Sequence, residues 1–242
     1  MKFIKLDAID STNEFLKRIL NDQFVENYTV ITAENQTKGK GQMGAVWESE
    51  IGKNLIMSVL IKDFLDDISQ IFNLNIIVSQ TVIQVLQEYK IPNLSIKWPN
   101  DIMSDTKKIG GILIENSIKN DGTIFSVVGL GLNVNQLHFE HLPRASSLAA
   151  ISNRFFDKEE LLFSIVEGIK KNIQSWQEQS SWMKQKYSDH LFKKGVPMPF
   201  QDSKGQKFMG IIQGVSLIGK LQILLENDAI AEFDLKEIQL LY

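Results

Sequence analysis

The chain has 242 residues, and its 26 lysines and arginines against 29 aspartates and glutamates give a formal charge of −3. Apolar residues at 43% and charged residues at 23% match ordinary globular usage and exclude disordered and fibrous classes. The lack of cysteine excludes disulfides, cysteine-zinc sites and thioester chemistry. The length fits one large domain, or one with a small companion. No apolar run approaches the ~20 residues of a membrane helix. The start, MKFIKLDAIDSTN, lacks the apolar core of a signal peptide. Mild acidity argues against a dedicated nucleic-acid binder. The expectation is a soluble, cytoplasmic protein.

In chain order, residues 3–6 read as a short strand, followed by a helix that Ser11 and Glu14 open with capping-box spacing. YTVITA (28–33) reads as a strand from its β-branched content, a glycine-rich loop fills 36–46, and NLIMSVLIK (54–62) reads as a buried strand. Apolar residues at helical spacing predict a helix over 68–89. Strand-like runs follow at 94–98, 109–115 and 124–132. Asp157 is placed to cap a helix whose apolar face runs from Leu161 to Trp176. From about residue 193, prolines and glycines punctuate short alternating runs (KFMGIIQGV, KLQILLEN, AIAEFDL), the pattern of a small β-module. The predicted fold class is therefore α+β, a mixed-sheet main domain over 1–190 followed by a small β-barrel over 191–242.

Gly39-Lys40-Gly41-Gln42-Met43-Gly44 matches G-x-G-x-x-G. A dinucleotide fingerprint also needs a helix beginning inside the motif, because the pyrophosphate sits on that helix's N-terminus. AVWESEIGKNL has no helical apolar face, so a Rossmann turn is excluded. A Walker loop fails too, since Ala45 follows Gly44. The glycines and Lys38 and Lys40 still suit an anion, although a solvated hairpin loop satisfies the same residues. KWPNDI (97–102) ends a strand at Trp98, where Pro99 stops the ladder and Asn100 and Asp101 form a polar turn. Lys108 then immediately precedes the apolar run beginning at Ile109.

Together AENQTKGKGQMGAVW, KWPNDI, KKIGGILIE and GLGLNVN, in this order and spacing, resemble the catalytic domain of biotin protein ligases. The tail is similar to that family's SH3-like module. The resemblance implies a mixed sheet of the class II aminoacyl-tRNA synthetase-like type. It also implies biotin and ATP as substrates with Mg²⁺, and a biotin carboxyl carrier protein as partner. Carried over position by position, Ser11, Thr12, Asn13, Gln36, Gly39, Lys40, Gln42, Lys108, Gly110 and Gly111 fall at biotin-binding positions. Lys40, Gly44, Trp47, Asn100, Asp101, Lys108 and Asn133 fall at ATP-binding positions. Lys108 and Lys40 take the catalytic role of charge stabilisation, and no protein metal site is expected. The loop departs from the family's arginine-rich form: Lys40 replaces one arginine without its bidentate fork, while Gln42 and Ala45 supply no charge.

The reaction implied by the resemblance is attack of the biotin carboxylate on the α-phosphate of ATP, then transfer to a carrier lysine. Lipoate or octanoate transfer on the same fold is the enzymatic alternative, and a non-catalytic interaction module is the alternative from another class. Because Ser11 already lies in the ligase core, no DNA-binding domain is expected before it. A homodimer through sheet edges remains an option. The pair His138 and His141 lacks a third ligand for a metal. Trp176 and Trp182 are expected in the core or against the tail.

Overall fold

The computed structural model describes residues 1–119 and 122–242. Seven strands build the main sheet: β1 (Phe3–Ile9), β2 (Val30–Gln36), β3 (Leu55–Ile61), β4 (Leu94–Lys97), β5 (Asp101–Ser104), β6 (Lys107–Ile118) and β7 (Ile124–Leu132). Their order is β1-β2-β3-β7-β6-β5-β4, with β1 and β2 parallel and the other pairs antiparallel. The mixed α+β architecture expected from the sequence is thus present. β5 begins at Asp101, expected in the turn with Asn100, and its other three residues lie outside the strands expected from sequence. Its four residues are too few to show a period, and pairing with β4 and β6 fixes them as strand.

Strand alternation sorts the sheet into two faces. Leu55, Met57, Val59 and Ile61 of β3 join Val128, Leu130 and Leu132 of β7 in the large core. That core is covered by α2 (Ile71–Glu88), α4 (Lys158–Gln174) and α5 (Trp176–Asp189), with the short α3 (Leu148–Ser152) beside them. On the opposite face, Leu60 and Val127 meet Leu16 of α1 (Thr12–Asp22) in a smaller cluster. Ser11 caps α1 by accepting from the Glu14 N–H, and Asp157 caps α4 by accepting from Glu159 and Glu160, as their spacing predicts.

The segment Ile68–Glu88 is long and apolar enough to cross a membrane by composition, which a count of consecutive apolar residues misses. Here it lies on the sheet, with Leu74, Ile77, Val78, Val82 and Leu86 buried. The helix expected to run on to Trp176 ends at Ser175, where α5 begins. α5 buries only Met183 and Tyr187, four residues apart, so its sequence pattern is weak. Trp176, expected in the core or against the tail, packs edge-on to Phe64 at the rim of the core, whereas Trp182, given the same expectation, is 48% exposed and is not a core residue.

The tail forms a second, five-stranded sheet in the order β11-β10-β9-β8-β12. Its strands are β8 (Pro197–Asp202), β9 (Lys207–Val215), β10 (Leu221–Leu225), β11 (Ile230–Phe233) and β12 (Ile238–Leu240). Phe200, Ile212, Leu221 and Ile223 continue the main core, so both sheets share one apolar cluster. Trp98 donates its indole N–H to the Gly219 carbonyl in the β9–β10 turn at 2.9 Å. Gly219 has φ +91°, and a side chain there would collide with the Phe72 ring.

His190, at the end of α5, accepts the Ile96 N–H through its carbonyl, and its ring Nδ1 lies 3.1 Å from Gln80 Oε1. Burial lowers its pKa below the ordinary value of 6.5. The folded ring therefore stays neutral where the unfolded ring takes up a proton. Its stability contribution is complete above about pH 6.5 and declines as pH falls towards the lower folded value. The unfolding midpoint should drop between about pH 7.5 and 5.5, and His190→Gln should flatten that slope. Equal slopes for the two proteins in thermal melts would contradict this.

Candidate active site

The face carrying α1 is unusually bare of side chains at its centre. Gly111 on β6 and Gly129 and Gly131 on β7 all point there, and larger groups from elsewhere descend onto them. A Cβ at Gly129 would stand 2.5 Å from Asn13 Oδ1, and one at Gly131 would stand 2.4 Å from the Trp47 ring. These glycines are needed for close approach rather than for a turn.

Over this floor sits the start of α1. Gln36 Oε1, at the end of β2, accepts from the Thr12 N–H at 2.7 Å and from the Thr12 hydroxyl at 3.0 Å. Ser58 Oγ lies 2.7 Å from Thr12 Oγ1 and 2.5 Å from Asn13 Oδ1. Ser58 is fully buried, and Ser11, Thr12 and Asn13 are nearly so. Buried polar groups of this kind must be hydrogen-bonded, and here they form one continuous array of hydroxyls and amides.

The glycine loop closes over the array as a hairpin, with Gly41 N–H donating to the Ala45 carbonyl and Trp47 N–H donating to the Gly39 carbonyl. No helix follows it, in accord with the exclusion of a Rossmann turn. Lys40 is held at 2.7 Å by Glu14, which Lys17 also contacts at 2.7 Å. Hydrogen bonds from Lys17, then from Lys40, keep the Glu14 carboxyl below its usual range. The Trp47 ring lies against Gly131 and Gly111, and its buried Nε1–H meets no acceptor among the described residues.

Lys108 reaches the same face because β6 carries a bulge. Ile102 pairs with Gly110 but Met103 pairs with Lys108, so Ile109 is an extra residue. Without it, Lys108 and Gly111 would point to opposite faces; with it, the Lys108 ammonium lies 3.5 Å from where a Gly111 Cβ would stand. Asp101 binds Lys108 at 2.6 Å, with Lys97 at 3.8 Å on its other oxygen. The turn between β4 and β5 contains a cis Trp98–Pro99 bond. The Pro99 carbonyl accepts from Asn75 at 2.8 Å and from Tyr187 at 3.1 Å, which anchors the turn to α2 and α5.

Two adjoining cavities result. The inner one measures about 50 Å³, with the Trp47 indole among its walls. Ser11, Thr12, Asn13 and Gln36 line it together with Ile56 and Leu113, and with Lys40 and Lys108. The outer cavity, about 380 Å³, lies between the glycine loop, the KWPND turn and the second sheet. Lys97, Lys108 and Lys236 line it against one carboxylate, Asp101.

Of the residues singled out from sequence, Gln42, Trp47, Asn100 and Lys108 line both cavities, and Gly111 lines the inner one. Gly39, Gly44, Gly110 and Asn133 line neither. Gly39 allows the Trp47 carbonyl to pass close by, and Gly110 packs on the Gly131 carbonyl. Asn133 is buried and donates its amide to the Ser146 carbonyl at 3.0 Å. Asn100 donates to the Ile112 carbonyl at 2.6 Å. Lys97, Gly129 and Gly131 lie in the KWPNDI and GLGLNVN motifs but carry no assigned role there, and Ser58 and Lys236 lie outside every motif. A lone serine within the apolar run LIMSVLI was the available signal for Ser58. No group of three or more metal-ligating side chains occurs among the described residues, His138 and His141 included.

The model of the biotin/lipoate A/B protein ligase family matches residues 6–134, just over half of the chain. The bifunctional ligase/repressor BirA of Bacillus subtilis is 32% identical over 130 residues, 54% of this chain and 39% of that protein. The biotin–[acetyl-CoA-carboxylase] ligase of Mycobacterium tuberculosis is 26% identical over 195 residues, 79% of this chain and 71% of that protein. Among solved structures, the Aquifex aeolicus biotin protein ligase in complex with biotin and ATP superposes with TM-score 0.80 at 29% identity. That likeness covers 99% of this chain and 98% of the other. The chain spans well under half the length of the Bacillus relative. The family model covers more than half of the chain, and the chain belongs to the biotin/lipoate A/B protein ligase family.

Proposed function

We propose that this chain is an ATP-dependent biotin–[acetyl-CoA-carboxylase] ligase. The observation that carries this is the set of groups lining the inner cavity: the hydroxyls and amides of Ser11, Thr12, Asn13 and Gln36, the apolar side chains of Ile56 and Leu113, and the ammonium groups of Lys40 and Lys108. Hydroxyls and amides suit a neutral polar ring, apolar groups suit an aliphatic chain, and two lysines suit a terminal carboxylate. Biotin has all three parts. The dithiolane head of lipoate and the tail of octanoate would displace water from the hydroxyls and amides around Thr12 and Asn13 without offering a polar group in its place, which costs binding.

In the reaction, the biotin carboxylate attacks the α-phosphorus of ATP, the α–β bridging bond breaks and pyrophosphate leaves. The amine of a carrier lysine then attacks the carbonyl of the mixed anhydride, loses a proton and expels AMP. Neither step needs an enzyme nucleophile. Both need positive charge where oxyanion charge grows, in a site that excludes water. Lys108 supplies it: Asp101 fixes one ammonium proton, leaving two donors for the ligand. Lysines outnumber carboxylates in the outer cavity, which suits the polyphosphate. The buried Trp47 N–H is a further donor awaiting an oxygen acceptor. Asp101, already paired with two lysines, forms no protein cage for Mg²⁺, which would enter held by phosphate oxygens and water.

The partner under this reading is a biotin carboxyl carrier protein, and the compartment is the cytoplasm, where ATP is available. We read the five-stranded second sheet as the family's SH3-like barrel, with a division near residue 190. Its contribution of Lys236 to the outer cavity supports a role in substrate binding.

Lys108→Ala should reduce biotinyl-adenylate formation on the order of 10²–10³-fold, measured with labelled biotin, ATP and Mg²⁺. Near-normal formation would remove Lys108 from this role. Gly129→Ala should push the Asn13 amide off its position and weaken biotin binding by about tenfold or more, while circular dichroism stays native. Unchanged affinity by calorimetry would show that the floor at Gly129 is not part of the pocket.

A further inference from the structure

Glu115 lines neither cavity, yet it touches Asn13, which lines the inner one. It lies on β6 on the same face as Gly111 and Leu113. Its Oε2 accepts from Asn13 Nδ2 at 2.8 Å, and its Oε1 accepts from Lys17 Nζ at 2.8 Å. A carboxylate can only accept, so this contact dictates which way the Asn13 amide is turned. The NH₂ group faces Glu115, with the Leu113 carbonyl as a longer second acceptor at 3.4 Å. The Asn13 carbonyl oxygen is thereby directed at Ser58 and over Gly129, and both Asn13 and Gly129 line the inner cavity.

We propose that Glu115 is a positioning residue for ligand recognition, acting through Asn13. Its negative charge selects one of two nearly isosteric amide orientations, so that an oxygen acceptor rather than an NH₂ donor is presented to the ligand's head. The ligand class this favours carries N–H donors on its polar ring, as the ureido group of biotin does; to that extent the inference rests on the proposed function. Lys17 holds the second oxygen of Glu115 and ties it to Glu14 and Lys40. The orientation of Asn13 and the glycine loop thus share one chain of ion pairs.

Glu115→Gln is the informative change. Glutamine keeps the shape but offers both a donor and an acceptor, so the amide of Asn13 is free to turn either way. Biotin binding is measured by calorimetry for the wild type, Glu115→Gln, Asn13→Ala, the double variant and Lys17→Met. The expected result is a Kd raised roughly tenfold in Glu115→Gln, the scale of one hydrogen bond to a charged group. No further loss is expected when Glu115→Gln is added to Asn13→Ala, and Lys17→Met should lose about twofold or less, the scale of a partly exposed ion pair. The inference is overturned if Glu115→Gln binds like the wild type. It is also overturned if the loss persists in full on the Asn13→Ala background, or if Lys17→Met reproduces it, since then the ion pair acts by general structural support. Failure of the wild type itself to bind biotin would instead remove the proposed function.

Discussion

The site depends on one extra residue in one strand. Ile109 bulges β6, and only because of it does Lys108 share a face with Gly111 and reach Asp101 on the neighbouring strand. Strand periodicity would otherwise turn the lysine into the apolar core beneath the sheet, where an ammonium is costly. Ile109 itself is fully buried on that core side, so the bulge lets one segment satisfy both faces. Asp101 is in turn fixed by the Trp98–Pro99 turn, whose carbonyl is anchored to α2 and α5.

Around that constraint the remaining parts serve one geometry. Three glycines thin the sheet so that Asn13 and Trp47 descend to backbone level. The start of α1 supplies neutral hydrogen-bonding groups, and the glycine loop and β6 supply cations. The second sheet is continuous with the main core and joined to the KWPND turn through Trp98. It closes the outer cavity instead of hanging free of it.

Much of this is legible in the residues because it is local. Ser11 and Asp157 cap their helices through bonds within three residues, and KFMGIIQGV forms β9 along its whole length. A Rossmann role for the glycine loop is excluded by sequence alone because no helical face follows it. The features that escape depend on contacts far apart in the chain. DIMS becomes β5 only through its neighbours on both sides, and α5 shows little periodicity because two buried residues suffice to hold it. Trp182, expected in the core or against the tail, is exposed on α5, a helix whose sequence carries little periodicity. No local pattern shows that Gly129 lies under Asn13, 116 positions earlier, or that Lys236 lines the cavity of Lys108.

The most direct measurement of the central claim is exchange of labelled pyrophosphate into ATP, assayed with biotin, with lipoate, with octanoate and with no acid. The account predicts exchange that requires biotin and is not supported by the other two acids. Exchange driven by lipoate or octanoate, or none with any acid, would contradict it.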